Sequence, residues 1–158
     1  MFTMVDIQAR TQLTPATAAA SIATVPVNEH WKVTSVDVIY SATATAGNRE
    51  PMLLFTNADG STIYSVAWNV LIAASTSAEL VTVKSGTDRT LSLSANRKHV
   101  VTAMSEIMVP PSAQIQVFDW AAIAPGADTV LMAVMYERWM NAVPEQLPVS
   151  ITQMPRGR

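Results

Sequence analysis

The chain has 158 residues, no Cys, a formal net charge of −2, and 14% charged against 49% hydrophobic residues. Without Cys there is neither a disulfide framework nor a thiolate metal site, and the near-neutral balance gives no basis for a phosphate-binding surface. A chain of this length can bury a core without staples and fits one domain. Soluble domains usually carry about 25% charged residues, so the shortage predicts an exterior covered by burial on both sheet faces or by other subunits.

Val, Ile and Thr together make up 44 of the 158 residues. These side chains are stiff at χ1 and pack well on a pleated surface, so the bias favours strands. Met1 to Arg10 contains Asp6 and lacks a basic segment followed by an apolar one, so no Sec-type signal is expected and synthesis in a cytoplasm is. Every apolar run is interrupted well before ~18 residues, too short for a membrane-spanning helix. Residues 1–28 read as an N-terminal arm. Within it, Thr14-Pro15 followed by small residues to Thr24 suits either a short helix starting at Pro15 or an extended segment. At least one strand is expected there.

His30 to Thr45 is the first long strand signal. Alternation puts Val36, Val38 and Tyr40 on one face and Trp31, Val33 and Ile39 on the other. Both faces are partly apolar, which predicts a bulge or burial on two sides. Pro51–Thr56 and Ser61–Trp68 form a hairpin around Asn57-Ala58-Asp59-Gly60, with Gly60 placed for the left-handed position of a bulged turn. A loop or short helical link follows, then a strand at Ala78–Val83. Lys84 to Lys98 is a polar insertion with room for a short strand at Thr90–Leu93. Strand character resumes over Val100–Val109 and Gln114–Trp120. The final strand, Thr129–Trp139, has Leu131 and Met135 on one face and Val130, Met132, Val134 and Tyr136 on the other. A strand apolar on both sides is central or is covered by another subunit.

Residues 141–158 contain Pro144, Pro148 and Pro155 and form a C-terminal tail that resists helix and central strand. The domain proper is therefore expected over residues 29–140. About eight strands predict an all-β fold, a jelly-roll-type antiparallel β-sandwich with extended arms at both ends.

No constellation points to catalysis, and an enzyme is not expected. His30 and His99 are the only histidines and have no metal-ligand spacing. Asp119 and Asp128 flank Pro125-Gly126, where carboxylates cap turns by accepting backbone N–H bonds. There is no Gly-x-Ser-x-Gly and no phosphate loop. No metal or cofactor is expected. The basic insertion lacks an aromatic residue to stack bases, so it reads as a solvated loop or one docking onto an acidic protein surface, and no nucleic-acid partner is expected. With no membrane-spanning run, no membrane partner is expected either. Trp31, Trp68, Trp120 and Trp139 could line a sugar-binding face, although packing in a core or interface suits them better.

The order of segments resembles small virion proteins of tailed bacteriophages. The likeness lies in Val25-Pro26 before Trp31, Ala44 to Arg49, Ala58-Asp59-Gly60, Val109-Pro110-Pro111, and Asp119 through the last strand to Glu137-Arg138-Trp139. It covers Val25 to Trp139. The resemblance implies a jelly-roll subunit on the virion capsid surface, of the cement or decoration type. Such a subunit would assemble as a homo-dimer or homo-trimer over joints between major capsid protein subunits. A neck, tail or head-fibre adaptor is the alternative, and a carbohydrate-binding module is a further one. The arms fall outside the likeness. They are where neighbour contacts are expected, at Arg10 and Leu13 in the first and at Leu147, Val149 and Ile151 in the second.

Overall fold

The computed structural model describes residues 4–13, 19–120 and 128–140. It contains eleven strands: β1 Met4–Leu13, β2 Ala19–Thr24, β3 Glu29–Ser41, β4 Pro51–Thr56, β5 Thr62–Ala67, β6 Ser77–Val83, β7 Arg89–Ser94, β8 Arg97–Ala103, β9 Ile107–Val109, β10 Gln114–Asp119 and β11 Thr129–Met140. Among the described residues no helix is long and apolar enough to cross a membrane.

The strands form two sheets. The larger runs β1-β11-β3-β6-β8-β7, with β9 also pairing β3, and the smaller runs β2-β10-β4-β5. Successive strands change sheet at β1→β2, β2→β3, β3→β4, β5→β6, β9→β10 and β10→β11. The two interleaved quartets β1-β11-β3-β6 and β2-β10-β4-β5 are the paired Greek keys of a jelly roll. Strands β7, β8 and β9 are an insertion on one side of it. The β6–β8 ladder is parallel, the one such ladder among the described pairs. The polar insertion leaves β6, folds back through the β7–β8 hairpin and so returns in the same direction as β6.

The core lies between the sheets. From the larger sheet come Val36, Val38 and Tyr40 of β3, Val130, Met132, Val134 and Tyr136 of β11, and Leu80 of β6. They meet Leu53 and Phe55 of β4, Val66 of β5, and Ile115 and Val117 of β10. Each large apolar side chain buried in this way contributes about 1.5–3 kcal/mol.

The alternation along β3 holds only from Ser35 onward. Met135 pairs with Ser35 but Tyr136 pairs with Val33, so Thr34 is an extra, unpaired residue. That bulge resets the pleat. Trp31 and Val33 therefore join Val36, Val38 and Tyr40 on the inner face, all buried, and Ile39 alone of the predicted second face points out. The Trp31 ring stacks on Tyr136 at 3.9 Å between centroids. The bulge also changes the partner of β3, which pairs β6 over residues 37–41 and β9 over residues 31–33. Val36 sits in the gap. Its N–H donates to Thr82 Oγ1 at 2.7 Å, and the Thr82 hydroxyl donates back to its carbonyl at 3.2 Å. Both backbone groups, which would be costly if buried unpaired, are thereby satisfied.

The β4–β5 hairpin closes as the sequence predicts. The Gly60 N–H donates to the Asn57 carbonyl at 3.0 Å and the Asn57 N–H to the Ser61 carbonyl at 2.8 Å. Gly60 has φ +84.

Candidate interaction surface

The outward side chains of the larger sheet follow from the registers. One row crosses Leu131, Ile39, Glu79, His99 and Leu91, and the next crosses Ala133, Asp37, Val81, Val101 and Arg89. Ile39 is 43% exposed, Met135 41% and Leu131 37%, and Met108 on β9 adds 48%. Apolar side chains on β3, β9 and β11 thus share the outer face.

The charges around this face are largely spent on one another. Lys32 Nζ reaches Glu106 at 3.3 Å and Glu137 at 3.6 Å, and Lys84 reaches Glu106 at 2.8 Å. The hydrogen bond to Glu106 holds the Lys32 ammonium above its ordinary range, and the bond from Lys84 holds the Glu106 carboxyl below its own. Glu79 faces His99 at 3.2 Å and Arg97 at 3.7 Å. Such exposed pairs contribute little stability, but they leave a face with little unbalanced charge.

Asp37 interrupts the apolar rows. Its Oδ1 is buried without a hydrogen-bond partner. It lines a depression of about 330 Å³ with Ile39, Leu131, Met132 and Ala133. Burial raises its pKa, the Glu79 carboxylate raises it further, and His99 offsets part of that.

Among the described residues, both ends of the larger sheet are edges. β7 pairs only β8 in the sheet order, and all six of its residues are exposed, Leu91 and Leu93 included. At the opposite end is β1, antiparallel to β11. Of the residues predicted to make contacts, Leu13 lies on β1 opposite Val130, and Arg10 sits at the irregularity between Ala9 and Thr11. Leu147, Val149 and Ile151 lie outside the described residues.

The other candidates fall into place individually. No group of three or more His, Cys, Asp or Glu is arranged to hold a metal among the described residues. His99 is occupied by Glu79, and His30 sits on β3 opposite Trp139. In the basic insertion, Lys84 and Arg97 pair with carboxylates, and Lys98 Nζ donates to the Leu71 carbonyl at 2.9 Å. A sugar-binding face of four Trp is not assembled: Trp31 and Trp68 are core residues, while Trp120 is exposed. Both Asp119 and Asp128 are buried. They bind backbone N–H groups, as capping carboxylates do, but across the fold rather than in their own turn. Asp119 Oδ1 accepts from Glu50 N–H at 2.8 Å and Asp128 Oδ1 from Thr43 N–H at 2.7 Å.

Composition and spacing give no sign of the buried centre around Asp128. Arg49 Nε donates to Asp128 Oδ2 at 2.7 Å and Nη2 to Oδ1 at 3.1 Å, a two-pronged pair. Arg49 Nη1 donates to the Thr45 and Gly47 carbonyls, and the Tyr40 hydroxyl donates to Asp128 Oδ2 at 3.2 Å. Burial works to raise the Asp128 carboxyl, but the bonds from Arg49 and Thr43 prevail and its pKa is lowered. Arg49 is pushed up by its bond to Asp128, and the Tyr40 phenol is pushed up by burial and by the Asp119 and Asp128 charges. This centre pins the β3–β4 connection to the start of β11.

No family model matches the chain, and no curated protein matches it in sequence. Among solved structures it is similar to that of infectious bursal disease virus, Gx strain. The TM-score is 0.36 and the identity 10%, over 85% of this chain and 32% of that one. It is also similar to the infectious bursal disease virus VP2 subviral particle, with TM-score 0.32 and 10% identity over 84% of this chain and 32% of that one. The chain thus spans about a third of the length of either structure.

Proposed function

We propose that this chain is a non-enzymatic structural protein of a phage virion, of the capsid cement or decoration type, that bridges major capsid protein subunits. The observation that carries the reading is the outer face of the larger sheet, where Ile39, Leu131, Met135 and Met108 are exposed and the neighbouring charges of Lys32, Lys84, Glu106 and Glu137 neutralise one another. Permanent protein interfaces are large and more apolar than ordinary surface. A face of this composition suits stable burial against another subunit better than exposure to water. The ordered resemblance of Val25 to Trp139 to tailed-phage virion proteins supports the same reading, as does the low charged fraction.

On this reading the sandwich forms a homo-dimer or homo-trimer, and residues 1–28 and 141–158 engage neighbouring subunits. Quantitative gel analysis of purified particles tests it. A cement protein is present in numbers comparable to the major capsid protein. A copy number far below that supports a neck, tail or head-fibre adaptor instead, and absence from the particle overturns the reading.

A further inference from the structure

We propose that the groove beside Trp120 binds a saccharide ring. The groove has a volume of about 430 Å³, within the range of small-ligand sites. Its walls include Glu50, Met52, Asn69, Leu71 and Trp120. Trp120 is 65% exposed and Leu71 48% exposed. Single exposed apolar residues need no explanation, but here an exposed indole and two polar residues line one concavity. Neither the Glu50 carboxylate nor the Asn69 amide has a hydrogen-bond partner among the described residues.

The walls are fixed before any ligand arrives. Trp120 N–H donates to the Glu50 carbonyl at 2.9 Å, and Glu50 N–H donates to Asp119 at 2.8 Å. Arg49 and Ile72 exchange backbone bonds at 2.9 and 3.0 Å, which hold the loop carrying Asn69 and Leu71. Asn69 has φ +49, a left-handed conformation that Asn tolerates better than most residues. The Trp120 ring is braced edge-on by Phe118 at 6.1 Å. The backbone therefore adds little ordering cost at binding, and what remains is that of the Glu50 and Asn69 side chains.

The chemistry of the walls selects the ligand class. An indole offers a broad apolar face with a polar tip. A purely apolar occupant would make no use of the polar Glu50 and Asn69 in the wall, and would lose free energy wherever it desolvated them unpaired. A pyranose presents C–H groups on one face and hydroxyls around its rim. It can stack on Trp120 while its hydroxyls donate to Glu50 and exchange bonds with the Asn69 amide. For a ligand of this size the dissociation constant is on the order of 1 mM. This inference does not depend on the capsid role.

The test is saturation-transfer NMR on the full chain. The probes are the methyl glycosides of glucose, galactose, mannose and N-acetylglucosamine, each at millimolar concentration, with N-acetyl-leucine methylamide as an apolar comparison. At least one glycoside should receive transfer on the C–H protons of one ring face. That binding should weaken about tenfold or more in Trp120→Ala and fall in Glu50→Gln, while both variants melt like the parent. Transfer to none of the four glycosides overturns the proposal, as does transfer unchanged in Trp120→Ala or transfer to the leucine compound alone. Should Trp120→Ala fail to fold, Glu50→Gln and Leu71→Ala carry the same comparison.

Discussion

Arg49 and Asp128 meet at 2.7 Å with neither side chain reaching solvent. The two are 79 residues apart in sequence. One enters from the β3–β4 connection and the other from the start of β11, so the pair clamps one end of the jelly roll's longest ladder, beside the Ser41–Thr129 pairing. Its weight lies in what happens when one partner is removed. A buried ion pair is worth little against an apolar replacement of similar volume, whereas a lone buried charge is costly.

Arg49→Met should therefore destabilise the domain by about 3–5 kcal/mol, read by urea denaturation at pH 7. Arg49→Met combined with Asp128→Asn should recover part of that loss, because no buried charge is then left alone.

The same pair sets the acid limb of stability. The folded pKa of Asp128 lies below its ordinary value, so its contribution is fully present above the ordinary carboxylate range. It is lost as pH falls through the lowered value. Stability of the parent should drop below about pH 4, and the double variant should show a shallower drop in the same denaturation series.

Asp37 has the opposite sign. Its folded pKa is raised, first by burial and then by Glu79, so its ionised form disfavours folding at neutral pH and protonation relieves that. Asp37→Asn removes the charge at nearly the same shape and should stabilise the protein at pH 7. Thermal melts should show the gain shrinking as pH is lowered towards the ordinary carboxylate range.

Gly60 separates backbone strain from packing. A methyl group there would meet nothing within 4 Å, yet φ is +84. Gly60→Ala should cost about 1 kcal/mol and lower the melting temperature by about 2–4 °C, with no change in particle binding.

The outer face and the tail are tested by retention. Ile39→Lys and Leu131→Lys replace exposed side chains and should leave folding within about 0.5 kcal/mol. Both should release the chain from particles. Deleting residues 141–158 should likewise lower retention while the circular dichroism spectrum of the domain is kept. Co-sedimentation with stripped capsids measures each.

Much of the fold is legible in the sequence where the physics is local. The Asn57 to Gly60 turn declares itself because only certain residues accept its backbone. β11 declares itself because Val130 to Tyr136 is apolar at every position, the run expected of a strand with apolar side chains on both faces. The faces of β3 are legible in part: two partly apolar faces predict a bulge or burial on two sides, and the bulge is there, but no side chain says that Thr34 is the extra residue that reverses the parity. The Arg49–Asp128 pair is illegible for a different reason. Both residues look like ordinary loop polar groups, and only long-range pairing of β3 with β11 brings them together. The candidate surface is half legible. Leu131 and Met135 stand out as apolar residues on the second face of a strand. The neutralised cluster of Lys32, Lys84, Glu106 and Glu137 depends on elements distant in sequence.

On the proposed function, the outer face of the larger sheet is covered in the particle. The most direct measurement is hydrogen–deuterium exchange and surface labelling of the chain within purified particles, compared with the free chain. The account predicts that β3, β9 and β11 gain protection, with Met108 and Met135 shielded from oxidation, in a protein present at near-capsid stoichiometry. A free monomer at high concentration, absent from particles and with Met108 and Met135 equally reactive in its native setting, would contradict it.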